Sequence, residues 1–252
     1  MTLPQALFFD MDGVIIDTEK DGHRIAFNQA FSEFGFEVFW DVDHYGELIR
    51  ISGGKERMRH HLETRGFGRP VDASQADELI RTLHKRKTEI FIDLIEGGGL
   101  KLRPGIHRLM KEANDRNVPI CICTTATQKA AQAVAAKSLP DIRFAHILAG
   151  DIVARKKPAP DIYLLALEKT GADAARCVVV EDSRNGMLAG VGAGAQVVVT
   201  TSIYTRGENF DEAALAVTCL GDPAGERGTL IRGEVDGYQG VLTLDMLAGL
   251  LS

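Results

Sequence analysis

The sequence has no long apolar run, few cysteines and no excess of positive charge, and each shortage removes a class of protein. Nothing in its 252 residues approaches the roughly 18–20 consecutive apolar positions that a membrane span needs. A formal net charge of −6 argues against a general nucleic-acid binder, though it leaves a local basic pocket open. The opening residues, MTLPQALFFD, lack the basic start and long apolar centre of a secretory signal, which predicts a cytoplasmic protein. The four cysteines, Cys121, Cys123, Cys177 and Cys219, form no C-x-x-C pair and no Cys/His cluster with zinc spacing. Cys121 and Cys123 would share one face of a buried strand, an awkward geometry for a bridge, so all four read as core thiols in a reducing compartment. What remains, 45% apolar and 25% charged residues, is the composition of a globular protein with a substantial core, in one large domain or two small ones.

The stretch around which the rest is organised is FFDMDGVIIDT, residues 8–18. A short apolar run ends abruptly in Asp10, and Asp12 follows just before Gly13. Such a run predicts a buried strand, with Asp10 where the strand leaves the sheet, in the crevice where open α/β sheets bind ligands. Two carboxylates that close repel each other unless a cation or proton lies between them.

Beyond Asp17 the pattern turns helical. Phe27, Phe31 and Phe34 mark one helix face, a helix is expected over about 55–66 after Ser52-Gly53-Gly54, and Leu79, Leu83, Ile90 and Leu94 mark a long helix over about 74–96. Gly97-Gly98-Gly99 and Pro104 then predict a linker or hinge. From there helices and strands alternate. Strand runs at 118–123, 144–149, 177–180 and 197–199 end in Thr124, Asp151, Glu181-Asp182 and Thr200, which predicts βαβ units and a parallel sheet. A lone N-terminal strand is not stable, so the first strand belongs with this sheet. The helical stretch is then an insertion: core domain 1–18 and 98–252, inserted domain 19–97.

In a parallel sheet these strand ends lie on one edge, where Asp10, Asp12, Thr124, Asp151, Glu181 and Asp182 would meet. Lys157, in the loop after the third strand, would point back to the same edge. Taken singly each has a plainer reading. Thr124 is an ordinary strand end, Lys157 a solvated surface lysine, and Asp182 or Ser183 a helix cap. Taken together, several carboxylates suit a hard divalent cation such as Mg²⁺, and Thr124 with Lys157 suits a phosphate.

FFDMDGV, the Thr124 strand end, KKPAPDIY and VVVEDSRNG resemble, in that order, the four motifs of the haloacid dehalogenase superfamily, and the resemblance covers essentially the whole chain. It implies an α/β fold: a Rossmann-like core with a parallel sheet and an inserted α-helical cap domain, as in β-phosphoglucomutase-like members. The stretches DTEKDGHRIAFN, WDVDHYGELIRISGGKERM and LHKRKTEIF further resemble the CbbY-like branch. Its members dephosphorylate xylulose-1,5-bisphosphate, an inhibitory by-product of the carbon-fixing carboxylase.

That resemblance implies covalent catalysis. Asp10 would attack phosphorus to form an aspartyl-phosphate, and Asp12 would serve as general acid and then base. Asp10, the backbone carbonyl of Asp12, and Asp182, supported by Glu181, would hold Mg²⁺. Thr124, the Thr125 amide and Lys157 would hold the phosphoryl oxygens. The residue inventory alone does not choose between Asp10 and Asp12 as nucleophile. In the cap, Lys55 and Arg57 lie at a predicted helix start that favours an anion, suited to a second phosphate, with Arg103 a weaker candidate. GGKER is equally a fair helix start with both side chains solvated. Glu19, His23 and Tyr45 would contact sugar hydroxyls. Position 126 is alanine in TTATQK, where related phosphosugar enzymes often carry a hydroxyl, so one phosphate contact would be absent. The tail from Asp222 carries no legible chemistry and is expected to pack a last strand and helix on the core.

The expectation is a monomeric Mg²⁺-dependent sugar-bisphosphate phosphatase with a small-molecule substrate and neither a nucleic-acid nor a membrane partner. The alternatives are a phosphosugar mutase or general sugar-phosphate phosphatase on the same scaffold and, remotely, a receiver-like phospho-acceptor. In this chain Glu181-Asp182 follows the Lys-Pro, and the length is about twice a receiver's, which disfavours the last.

Overall fold

The computed structural model describes residues 2–51, 53–150 and 152–251, so the strand-end role expected of Asp151 lies outside the described residues. The chain folds into two compact units, one formed by residues 1–17 with 101–252 and the other by Thr18–Leu100.

In the first unit, short apolar runs that satisfy no helical period become strands, the central ones buried on both faces, as expected for a parallel sheet covered on each side, and the last one exposed. These are β1 (Ala6–Phe9), β2 (Ile120–Cys123), β3 (His146–Leu148), β4 (Cys177–Glu181), β5 (Gln196–Thr200), β6 (Leu215–Val217) and β7 (Leu230–Arg232). Among the described residues they form one sheet in the order β3-β2-β1-β4-β5-β6-β7, parallel throughout except for the antiparallel β6–β7 edge. The chain builds outward from β1 through β2 to β3, then returns to place β4 on the other flank. That reversal creates a switch point beside β1, the usual ligand crevice of such sheets. Pleat alternation puts Ala6, Phe8, Cys121, Cys123, Cys177, Val179, Val197 and Val199 on one face, packed with Ile162, Tyr163 and Met187. All four cysteines are buried free thiols.

The inserted unit is helical. It opens with a π-helical turn (Thr18–His23) leading into α1 (Arg24–Glu33), followed by α2 (Val42–Leu48), α3 (Gly54–Arg65) and α4 (Ala76–Glu96). Phe27 and Phe31 from α1 meet Trp40, Tyr45 and Phe67 at ring separations of 4.7–6.1 Å. Aromatic pairs at such spacings add about 0.5–1.5 kcal/mol each beyond their burial. Ala26 and Ala30 seat α1 on Ile90 of α4. α2 was not legible from periodicity, but Asp41 caps it by accepting the His44 amide at 2.8 Å.

The triglycine is not a free linker. Gly98 takes φ +67°, its N–H donates to Ile95, and the Gly99 N–H donates to Leu94 at 2.9 Å. This is a Schellman cap, in which the left-handed residue needs glycine, so the three glycines end α4 and belong to the inserted unit. The two ends of the core that flank the insertion are stitched together. Ile16 bridges Leu102, and the Arg103 N–H donates to Ile15 at 2.9 Å.

After the insertion come α5 (Ile106–Asp115), α6 (Gln128–Ser138), α7 (Asp161–Thr170), α8 (Arg184–Gly192) and α9 (Leu244–Gly249). The tail from Asp222 supplies β7 and α9, the one strand and one helix expected of it; β6, which precedes the tail, was not expected. β6 is the three-residue LAV, too short to show a period.

Candidate active site

Asp10 follows β1 and Glu181 ends β4, and strand parity puts both on the sheet face that α7 covers: 6, 8, 10 on one strand and 177, 179, 181 on its neighbour. Asp182 follows immediately, and Ser183 caps α8 by accepting the Gly186 amide at 3.1 Å. Asp182 is thereby left for other work. Asp10, Glu181 and Asp182 are all buried, and one carboxylate oxygen from each lies within 4.8 Å of the others. Asp12 is half-buried and outside this trio; its backbone bridges Ile16.

Two glycines make room for this density of charge. Gly13 has φ +81°, and a side chain there would run into the Asp182 carboxylate. Gly186, in the first turn of α8, would with a Cβ overlap the Glu181 carboxylate.

Lys157 reaches the trio from the loop before α7. Its Nζ lies 2.5 Å from Asp10 Oδ1 and 2.6 Å from Glu181 Oε1 and donates to the Cys123 carbonyl at 2.9 Å. Burial alone would lower the Lys157 pKa, but the charges and hydrogen bonds of Asp10 and Glu181 hold it above the usual lysine value. Burial pushes the Glu181 carboxyl up, with Lys157 opposing. Burial, then Glu181 and Asp10, push Asp182 up as well. Three carboxylates against one ammonium leave an excess of negative charge among all-oxygen donors, which fits a divalent metal ion.

Thr124 is fully buried after β2, and its Oγ1 accepts the Ala126 amide at 3.1 Å, so its own proton is what it can offer a ligand. Thr125 is exposed on the same loop. Arg103, considered for a phosphate, is committed elsewhere. Its Nη1 donates to the Gly13 and Thr200 carbonyls and Thr200 Oγ1, and its Nη2 to the carbonyls of Thr201 and Thr218. It clamps the turn after Asp12 to the end of β5.

In the inserted unit, Tyr45 is fully buried; its hydroxyl donates to Glu19 Oε2 at 2.5 Å and accepts from Arg57 Nη1 at 3.2 Å. Its hydroxyl therefore orients Glu19 and Arg57, where a sugar contact was expected. Arg57 also donates to the Ile51 carbonyl at 2.9 Å. Lys55 is exposed in the first turn of α3, whose start has no side-chain cap. His23 Nδ1 lies 2.8 Å from Lys87 Nζ, which sits over the rings of Phe27 and Phe91. Burial, then the charges of Lys87, Arg57 and His84, push the His23 pKa well down. Burial lowers the Lys87 pKa to about 8, Glu19 opposing and Arg57 adding to the fall.

Sequence reasoning missed Tyr163, the committed role of Arg103, and Lys87. Lys87 had a signal: it interrupts the apolar stripe of α4 between Leu83 and Ile90. Tyr163 ends KKPAPDIY one helical turn into α7, and Arg103 could be placed only once β5 and β6 were.

The arrangement, buried acids and one lysine at the carboxyl edge of a parallel sheet with a helical insertion after the first strand, defines a class. A haloacid dehalogenase-like hydrolase family profile matches residues 4–194, and the chain belongs to that family, in its CbbY-like branch. It is 47% identical over 241 residues to a CBBY-like protein of Arabidopsis thaliana, spanning 92% of this chain and 76% of that protein. It is 41% identical over 228 residues to the plasmid CbbY of Cupriavidus necator, spanning 87% of each. A crystal structure of a CbbY variant from Rhodobacter sphaeroides in complex with xylulose-(1,5)bisphosphate superposes with a TM-score of 0.67 at 36% identity, covering 88% of this chain and 97% of that one. The protein is an enzyme, a phosphatase of the haloacid dehalogenase type. Among the described residues no helix is long and apolar enough to cross a membrane.

Proposed function

We propose that the protein is a Mg²⁺-dependent phosphatase of a small sugar bisphosphate, xylulose-1,5-bisphosphate first among them, acting through an aspartyl-phosphate on Asp10. The observation that carries this reading is the excess of buried carboxylate over ammonium at the β1/β4 edge. It calls for a hard cation and, with it, an anionic substrate. The substrate comes from likeness to the CbbY complex.

Asp10, the Asp12 carbonyl and Asp182, supported by Glu181, would hold Mg²⁺, which when bound neutralises phosphoryl charge. An Asp10 oxygen attacks phosphorus and the P–O bond to the sugar breaks. Asp12 gives the leaving alkoxide its proton, then takes one from the water that cleaves the acyl-phosphate. Lys157 holds Asp10 in place by its 2.5 Å contact and, with Thr124 and the Thr125 amide, stabilises the transferring oxygens. In the inserted unit, Lys55 and the uncapped start of α3 would take the second phosphate, with Arg57 beside them. Glu19, oriented by Tyr45, and His23, held by Lys87, would face sugar hydroxyls.

The test is phosphate release with Mg²⁺ from xylulose-1,5-bisphosphate, set against interconversion of hexose monophosphates. Release from the bisphosphate is expected to dominate. Full activity of Asp10→Asn would refute the covalent route, and hexose-phosphate interconversion without release would make the enzyme a mutase.

A further inference from the structure

Tyr163 has a hydroxyl that none of the steps above uses. The side chain is fully buried, its ring stacks on Phe8 at 6.5 Å, and its hydroxyl donates to Glu181 Oε1 at 2.5 Å. That same oxygen lies 2.6 Å from Lys157 Nζ, and Lys157 Nζ in turn stands 5.2 Å from the Tyr163 ring centroid. The tyrosine thus touches both members of the Lys157–Glu181 pair, one through its oxygen and one through its ring.

We propose that Tyr163 is a positioning residue that divides the two oxygens of Glu181, committing Oε1 to the protein and leaving Oε2 for the metal. The inference rests on the reading of Asp10, Glu181 and Asp182 as a metal site. A carboxylate oxygen has two lone pairs, and on Oε1 both are taken, by the phenol and the ammonium. Among the described residues, Oε2 has only a long contact, from the Asp182 N–H at 3.3 Å. The carboxylate also lies against Gly186, where a Cβ would overlap it, so the site has been shaped around one orientation. Take the phenol oxygen away and Oε1 regains a lone pair. The carboxylate is then free to rotate and share its charge between its two oxygens toward the compact ammonium of Lys157, and Oε2 is drawn off the metal. The plainer account is that a buried tyrosine needs some acceptor and Glu181 happens to be it. On that account, loss of the hydroxyl lowers stability and nothing else.

Tyr163→Phe keeps the ring and its packing on Phe8, and removes only the oxygen. MgCl₂ titrated calorimetrically into substrate-free wild type, Y163F, E181Q and the double variant separates the two accounts. Y163F is expected to bind Mg²⁺ about tenfold more weakly, the scale on which outer-shell partners tune a metal site. Y163F added to E181Q should cost no further affinity, because the tyrosine acts through Glu181. Raising Mg²⁺ should restore the turnover of Y163F, which a purely structural defect would not allow. Mg²⁺ affinity of Y163F within twofold of wild type, or a full second loss on the E181Q background, would overturn the proposal. A wild type that takes up no Mg²⁺ would fail the metal-site reading itself and the proposal with it. Should Y163F melt well below wild type, the affinity ratio of the double variant to E181Q alone decides, since both of those already lack the ionised Glu181.

Discussion

Lys157→Met removes the one ammonium among three buried acids and isolates what holds the sheet edge together. At an effective dielectric near 20, charges at 2.5 and 2.6 Å attract by roughly 6 kcal/mol each in gross terms. Most of that is offset by the desolvation already spent on burying them, and stripping one partner from a buried pair costs about 3–5 kcal/mol net. For a protein of this size that corresponds to a fall in melting temperature of roughly 10 °C. The pH dependence follows from the same groups. Glu181 and Asp182 already have raised pKa values from burial, so the folded state binds their protons more tightly than the unfolded chain does. Their contribution is therefore full below the ordinary carboxylate range and is lost as pH rises through the folded values. Without Lys157 those values climb further, so the variant's deficit should be largest near pH 8 and shrink steadily as pH falls toward 5. Thermal denaturation of both proteins across that range, without divalent cations, is the measurement. A variant melting within about 2 °C of wild type at pH 8, or one whose deficit widens on acidification, would refute the ion-pair account. Added Mg²⁺ should raise the variant's melting temperature more than the wild type's, since the ion then supplies the missing positive charge.

Three further outcomes are expected. Gly186→Ala, which at an ordinary helix position would gain about 0.5–1 kcal/mol, should here cost activity at least tenfold, because the new methyl displaces the Glu181 carboxylate; steady-state kinetics at varied Mg²⁺ would show it, and unchanged kinetics would sink it. Lys87→Met should be more stable than wild type at pH 7.5. The buried ammonium, with its pKa lowered to about 8 from 10.5, costs the folded state about 3 kcal/mol when protonated; that advantage should fade as pH rises through 8 to 10.5, and a Met variant less stable at pH 7.5 would contradict it. Arg103→Met should destabilise the protein by about 2–4 kcal/mol by leaving several buried carbonyls unpaired, read by denaturant titration, and loss of activity at unchanged stability would instead favour an anion-binding role.

The central strands of the core, β1, β2 and β4, were legible because each is an apolar run buried on both faces and punctuated by a polar residue at its end, as in FFD, CICTT and VVVED. The insertion was legible from one lone strand needing neighbours. Less visible was whatever depends on neighbours distant in sequence. The triglycine looked like a linker because composition cannot distinguish three flexible residues from a helix cap, where the same freedom is used once, at Gly98. Arg103 looked available to a ligand because its acceptors, Gly13, Thr200, Thr201 and Thr218, come from segments that meet only in the folded sheet. Tyr45 looked like a sugar contact until its hydroxyl was found between Glu19 and Arg57. Tyr163 was silent, and the break that Lys87 makes in the stripe of α4 went unread, for the same reason: a polar group on an apolar stripe is interpretable only with its partner.

The fastening of Ile15 and Ile16 to Leu102 and Arg103 makes everything from residue 18 to residue 100 a closed loop from the standpoint of the sheet. The entropy of closing such a loop rises only logarithmically, by about 0.6 kcal/mol for each doubling in length. The sheet that carries Asp10 is thus nearly indifferent to how much chain is hung from that clasp. Residues can be added, removed or wholly exchanged between the two ends at a cost the core scarcely registers, so the length and sequence of the insertion can change while the strand edge that carries Asp10 stays fixed.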